Sequence, residues 1–364
     1  MKKMRILHAP AIVINQQWII SRAQRKLGHV SDVMAFNADR KGLLARDCDI
    51  NLHFDRNDIS FKPSKILKTL KFIVSFKLFF IKTLFKYDIF HFHSESFLGS
   101  MPPIDLMILR LFRKKIVFQY WGCDIRLKTM SVLAGDFSTC DDCIRVCNNS
   151  RKLRDNLTHL HYCDFRVYGG ADCIKNVPDA LFIPIALDLD NWDPAGEIPE
   201  AHRLPKTDSI RILQAFENSK TRGDQKGTRF IETAVETLKN EGHKLDYIFL
   251  DNIPHNDIKY YYQQADIVVD QLLTGWHGSV TVEAMAMGKP VICYLNQDAL
   301  RLLPEENPIV NAGPETIVDR LRELVKDGAL RAKTGKASRL YVEKNHDSMK
   351  LAQVYIDLYQ KDWR

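Results

Sequence analysis

The sequence predicts an α/β protein of two Rossmann-like domains facing one another across a cleft, and three observations carry that prediction. Short apolar, β-branched runs alternate with helical patterns twice along the chain, the signature of parallel strands joined by crossover helices. At 364 residues the chain is long enough for two cores of ordinary size. A stretch of proline, glycine and mixed charge, Gly196–Asp208, interrupts the alternation and reads as a linker. The expected division is residues 1–190, residues 191–345, and a last helix, 346–364, that crosses back to the first domain. With 45% hydrophobic and 27% charged residues the chain is globular in composition.

The first domain opens as strand Arg5–His8, helix Trp18–Leu27, a stop at Gly28 and strand Ser31–Phe36, a βαβ beginning. Two lysines and an apolar run give the N-terminus the look of a signal peptide. Arg5, His8 and Pro10 break that run, however, so a strand fits better. No apolar stretch reaches the roughly eighteen residues of a membrane span. Eight cysteines without a leader suggest reduced thiols and a cytoplasmic location, with the inner face of a cell membrane as a place of peripheral attachment. The formal charge of +7 suits an anionic partner such as a nucleotide, a phospholipid surface or an acidic glycan. It is too diffuse to indicate nucleic acid, and no nucleic-acid motif is present.

Residues Pro63–Tyr87 form a lysine-rich helical stretch. At about 100° per residue, Lys65, Lys68, Lys71, Lys82 and Lys86 fall on one side and a set of Ile, Leu and Phe on the other, with Lys77 and Phe79 out of place. Such a helix fits an anionic membrane interface. It equally fits packing on the first sheet with its lysines in water. Asp88–His93 alternates as a strand that places His91 and His93 on one face, and His93, at the strand end, is the better ligand-site candidate. Strand Lys115–Tyr120 precedes Trp121-Gly122-Cys123-Asp124. Within a Cys-rich insertion at about 136–163, Cys140, Cys143, Cys147 and Cys163 have spacings that suit a structural zinc, with His159 and His161 as alternative fourth ligands. Free thiols, an iron–sulfur cluster and a disulfide are the other readings.

Strands Cys163–Val167 and Ala180–Pro184 end the first domain. The second opens with strand Ile210–Ala215, the loop Phe216–Gly227 and helix Arg229–Lys239, followed by strand Tyr247–Leu250. Then comes Asp266–Pro290: a β-branched strand, a Thr-Gly-Trp-His-Gly loop, a helix from Ser279 to Met287 and a Gly-Lys-Pro stop. Gly275 and Gly278 free the loop backbone, and the amides of Ser279, Val280 and Thr281 are left unpaired at the helix start, where a phosphate is favoured. Glu283, one turn in, is placed to accept from a ribose hydroxyl. The bland alternative is an ordinary βα unit with a surface glutamate. Strand Val291–Tyr294 and helices Glu315–Lys326, Ala329–Asn345 and His346–Trp363 complete the chain.

Gly278–Val291, GSVTVEAMAMGKPV, resembles the donor-site motif Gly-x-x-x-x-Glu-Ala-Met-Ala-x-Gly-x-Pro-Val of the retaining, GT-B-fold glycosyltransferases of family 4. The resemblance covers most of the second domain and, more loosely, the first. It implies a hexosyltransferase-like enzyme moving a sugar from a nucleotide-diphosphate sugar to a glycan or lipid-linked acceptor, with retention, in cell-surface polysaccharide or glycolipid synthesis. Lys226-Gly227-Thr228 resembles the family's Lys-Gly element, so Lys226, with Arg222 or Lys220 as a second cation, would neutralise the donor diphosphate and stabilise it as leaving group. Gly278, Ser279, Val280, Thr281 and Glu283 would complete the donor site.

Three departures from the family pattern mark the other side. The first glutamate is replaced by Gly275, with Asp270 and Gln271 upstream as substitutes. The glycine-rich turn after strand one is replaced by Pro10–Gln17, where Asn15 and Gln16 offer amides to a phosphate or acceptor. Trp121 stands where relatives place a histidine, so it would stack on a sugar while Asp124 binds hydroxyls. The expected acceptor set is Asn15, His93, Trp121 and Asp124, with Asp124 also among the catalytic residues. No cofactor is expected for the chemistry, since cations and amides can do that work. A nucleotide-sugar epimerase of the same fold and a non-catalytic sugar-nucleotide-binding scaffold are the alternatives.

Overall fold

The structure is a computed structural model that describes residues 3–10, 15–36, 48–53, 62, 66–99, 102–127, 140, 143, 147–216 and 223–361. In chain order the first half contains β1 (Arg5–Pro10), α1 (Gln16–Lys26), β2 (Val30–Ala35), β3 (Ile50–Asn51), α2 (Ile66–Lys86) and β4 (Ile89–His93). It continues with α3 (Ile104–Leu111), β5 (Lys115–Tyr120), α4 (Asn149–Tyr162), β6 (Phe165–Tyr168) and β7 (Leu181–Phe182). Its seven strands form a parallel sheet ordered β3-β2-β1-β4-β5-β6-β7. Strand alternation sorts the residues onto two layers. Phe90, Phe92 and Phe118 meet Phe72, Phe76 and Phe80 of α2 and Leu106 of α3 on one face. Ile6, Ile89 and Val117 meet Ile20 of α1 on the other.

The second half contains β8 (Ile210–Phe216), α5 (Thr228–Asn240), β9 (Leu245–Asp251), α6 (His255–Gln264), β10 (Ile267–Val269), α7 (Ser279–Ala286) and β11 (Val291–Cys293). After these come α8 (Gln297–Leu302), β12 (Val310–Asn311), α9 (Ile317–Lys326), α10 (Gly328–Asn345) and α11 (Ser348–Gln360). Five strands make a second parallel sheet, β12-β11-β10-β8-β9, with apolar cores on both faces. Both sheets read as near-continuous apolar runs because parallel strands are covered on each side. α11 leaves this domain: Leu351, Tyr355, Ile356 and Tyr359 pack into the core of the first sheet beside α1.

The chain crosses between domains twice, and the crossings lie side by side. Leu187 N–H donates to His346 O (2.7 Å), Ser348 N–H donates to Leu187 O (3.0 Å), and His346 Nδ1 donates to Ile185 O (2.8 Å). Trp276, in the loop before α7, reaches the first domain and meets Phe182 edge-on at 5.6 Å. A Cβ on Gly170 would lie 2.8 Å from the Trp276 ring, so glycine is what lets the loop after β6 come this close.

Most strands and helices fall where periodicity places them. Helices α3 and α4 differ: the segment expected to be a Cys-rich insertion carries, over residues 149–162, an ordinary crossover helix. Helix α2 also differs in orientation. Its buried face is a phenylalanine ladder (Phe72, Phe76, Phe80), while Leu67, Leu70, Val74, Leu78, Ile81 and Phe85 are exposed beside the lysines. Residues 63–65, including Lys65, lie outside the described residues.

Candidate active site

The carboxyl ends of β8 and β10 bring one buried carboxylate, Asp270, to the centre of the second domain's upper edge. Asp270 is fully buried. Oδ1 accepts from Lys226 Nζ at 2.6 Å, and Oδ2 accepts from Thr281 Oγ1 at 2.7 Å and from Gly278 N–H at 3.2 Å. Burial works to raise its pKa, but Lys226, Thr281 and the Gly278 amide outweigh burial and hold the carboxyl below its ordinary value. Lys226 Nζ also donates to Ala215 O at 2.9 Å. An ammonium has three donors. Two are spent here, which fixes the group and leaves one for an anion. Gly227 follows with φ 75 at the N-cap of α5, and Leu272 N–H donates to Lys226 O at 2.9 Å, so both sides of the loop are pinned.

Helix α7 starts at Ser279, as its spacing predicts, with Gly278 as N-cap and no side chain capping it. Its first-turn amides therefore lack helix-internal acceptors, and they sit beside the anchored lysine. Thr281, expected to touch the donor, has its hydroxyl turned inward onto Asp270, which leaves only its backbone for that role. Glu283 is buried, and His255 Nε2 at the start of α6 lies 3.0 Å from its Oε1. Trp192 packs against that histidine edge-on at 5.7 Å. Arg222 and Lys220 lie outside the described residues.

Neither substitute for the missing glutamate is available. Asp270 is committed as above. Gln271 donates through Nε2 to Trp276 O and accepts from Thr274 Oγ1 at 3.1 Å, which makes it a brace for the loop. Gly275 has φ 75, and a Cβ there would stand 2.7 Å from Asn296 Nδ2. The loop is thus built around glycine at the position where the motif it resembles has a glutamate.

On the first domain the structure corrects most of the acceptor set. Asp124 accepts from Ser94 Oγ (2.7 Å) and from the amides of Trp121, Gly122 and Ile125 (3.1, 2.8 and 3.1 Å). It closes its own turn, and burial raises its pKa. A half-buried carboxylate with this many protein partners holds a loop. His93 is buried, with Nε2 3.1 Å from His8 Nδ1. Burial, then the neighbouring His91 and His8, push it well below its ordinary pKa, so it is no proton carrier near neutrality. Its ring lies parallel to Trp121 (8°, centroids 6.1 Å apart) and backs that indole. His91 is structural, with Nδ1 2.7 Å from Tyr359 Oη of α11. Gln16 exchanges two hydrogen bonds with the backbone of Ala186 (2.9 and 2.7 Å) and ties α1 to the domain crossing. Asn15 caps α1 in a left-handed conformation (φ 54) at the carboxyl edge of β1. Trp121 remains half-buried at the cleft, next to Gly169.

Cys147 and Cys163 are too far apart to ligate one metal ion. Cys147 precedes α4 and Cys163 is its C-cap; fourteen helical residues put about 21 Å between them. His159, the alternative ligand, lies against Phe118 and 3.0 Å from Tyr120 Oη. Among the described residues the one cluster of metal-type ligands is His8, His91 and His93. There His8 and His93 already bond each other, and the nearly parallel rings of His91 and His93 (15°) do not aim at a common point.

Sequence reasoning missed Asp270 as the anchor of Lys226, His255 as the partner of Glu283, and the contact of Trp276 with Gly170. An aspartate closing a β-branched strand just before the loop is a signal that could have given the first. The other two depend on contacts between segments far apart in the chain.

Residues 214–341 match the family model described as glycosyl transferases group 1. Among solved structures the chain is similar to sucrose-phosphate synthase from Thermosynechococcus elongatus, with TM-score 0.66, 16% identity and 98% of each chain covered. It is also similar to Anabaena HepE in complex with UDP-glucose, with TM-score 0.60, 12% identity, and 98% of this chain and 99% of that one covered. A third similar structure is UDP-GlcNAc 2-epimerase from Neisseria meningitidis bound to UDP-GlcNAc, with TM-score 0.57, 11% identity, and 99% and 100% covered. No curated protein sequence matches the chain.

Proposed function

We propose that the chain, whose residues 214–341 match the group 1 glycosyl transferase model, is a glycosyltransferase that transfers a sugar, with retention, from a nucleoside diphosphate donor to a glycan or lipid-linked acceptor. The observation that carries this reading is the convergence of Lys226, fixed on Asp270 at 2.6 Å, with the uncapped start of α7 and with Glu283 one turn further in. As the bond between the sugar and the diphosphate breaks, negative charge develops on the departing phosphate oxygen. A preorganised ammonium and a row of amides stabilise that charge more than they stabilise the ground state. Glu283, steadied by His255, accepts from the ribose. The acceptor enters from the first domain, where Trp121, backed by His93, offers an aromatic wall for a sugar face.

Synthesis of a surface polysaccharide or glycolipid on the cytoplasmic side of a membrane is the setting this reading favours. Among the described residues no helix is long and apolar enough to cross a membrane. Product analysis over a panel of nucleotide sugars tests the proposal. Release of the nucleoside diphosphate with a transferred or hydrolysed sugar supports it. Accumulation of an epimerised sugar nucleotide would favour the epimerase reading, and binding without turnover would favour a scaffold.

A further inference from the structure

We propose that the helical face formed by α2 and α3 on the first domain docks on an anionic lipid bilayer. Helix α2 has two apolar faces. The phenylalanine ladder is buried, so the second face is not needed for packing, yet it carries Leu67, Leu70, Val74, Leu78, Ile81 and Phe85 at spacings of three and four. Leu67 is 80% exposed and Phe85 66%. On a helix of about 100° per residue these six fall in one stripe, roughly opposite the ladder. Lys71 and Lys82 run along one edge of the stripe and Lys77 along the other; Lys86, on the first edge, is paired with Asp32 at 2.7 Å.

From residue 59 to residue 87 the sequence contains no aspartate or glutamate. The stripe does not end with α2. Phe85 meets Phe112 edge-on at 6.1 Å, and Leu111 and Met107 of α3 continue the exposed apolar surface. Beside them opens a pocket of about 690 Å³ bordered by Arg110, which pairs with Asp164 at 2.9 Å, and by Arg113, Lys114 and Lys115.

A contiguous apolar strip of this length on a protein surface marks an interaction site. Its basic borders select the partner. A bilayer with anionic headgroups takes the leucines into its interface and meets the lysines with phosphate, at about 1 kcal/mol for each nearby lysine. A second copy of the chain would set lysine against lysine along the same edges.

Flotation of the full-length protein with vesicles tests this, using phosphatidylcholine alone and phosphatidylcholine containing roughly a third phosphatidylglycerol. The expected result is binding to the anionic vesicles only, weakened in about 0.5 M salt. The triple variant L70S/V74S/L78S should reduce binding at least about tenfold. All three side chains are exposed, so its melting temperature and its turnover of donor in solution should match the wild type. No flotation with either vesicle overturns the proposal, as does equal binding to both. A concentration-dependent dimer that the triple variant abolishes would also overturn it, assigning the face to a second copy.

Discussion

The two sides of the cleft use carboxylates in opposite ways. In the second domain Asp270 gathers a cation, a hydroxyl and an amide, and so holds Lys226 and the start of α7 in place with donors still to give. In the first domain Asp124 gathers three amides of its own turn and the hydroxyl of Ser94, and so fastens that turn to the end of β4. The second-domain side therefore offers a fixed ammonium and open amides to an anion, while the first-domain side, the acceptor side of the proposed function, presents aromatic surface. An electrostatic site must be built before the charge arrives. A sugar-binding wall needs only shape and a π face.

The largest effect should come from breaking the buried pair. Lys226→Met leaves Asp270 charged and unpartnered, which should cost about 3–5 kcal/mol of stability and at least tenfold in donor turnover. Adding Asp270→Asn should restore much of the melting temperature without restoring turnover. If the double variant were fully active, Lys226 would be a structural ion and nothing more.

Asp124→Asn sharpens the contrast from the other side. It should lower stability by about 1–3 kcal/mol through the weakened turn, while kcat of the folded enzyme changes little. A specific collapse of kcat at unchanged stability would return Asp124 to the chemistry. Gly275→Glu, which restores the family's carboxylate, should destabilise by a similar 1–3 kcal/mol because φ 75 and Asn296 leave no room. A gain in turnover would contradict that. Glu283→Gln keeps the shape and removes the charge. It should weaken donor binding by about tenfold, or 1.4 kcal/mol, and equal loss for a donor lacking the ribose hydroxyls would refute the assigned contact.

Buried histidines set the most general effect. Burial lowers His8 and His346 from 6.5 to about 4. The unfolded chain thus binds more protons than the fold between those values, and stability, complete above about pH 6.5, is lost progressively as pH falls toward 4. Thermal melts across that window should show a falling midpoint, whereas a flat profile would mean that these rings are solvated.

The strand, glycine loop and helix start around Glu283 were legible because they are local in sequence. Lys226 was readable from the Lys-Gly element, but its anchor was not, since Asp270 lies on another strand. The acceptor half was misread where polar residues in loops looked available. Whether Asp124 or Gln16 faces a ligand depends on which backbone amides lie nearby, and sequence spacing does not carry that. Helix α2 shows the same limit. Its periodicity gave a helix with lysines on one side, but only the packed phenylalanines reveal that its leucines face outward.

Calorimetric titration of a nucleoside diphosphate, and of the matching nucleoside, into the wild type and the Lys226→Met/Asp270→Asn variant separates an anion site from a structural ion pair. The wild type should bind the diphosphate at least tenfold more tightly than the double variant does, while the nucleoside alone binds both proteins equally. Equal diphosphate affinity in the two folded proteins would contradict the anion site.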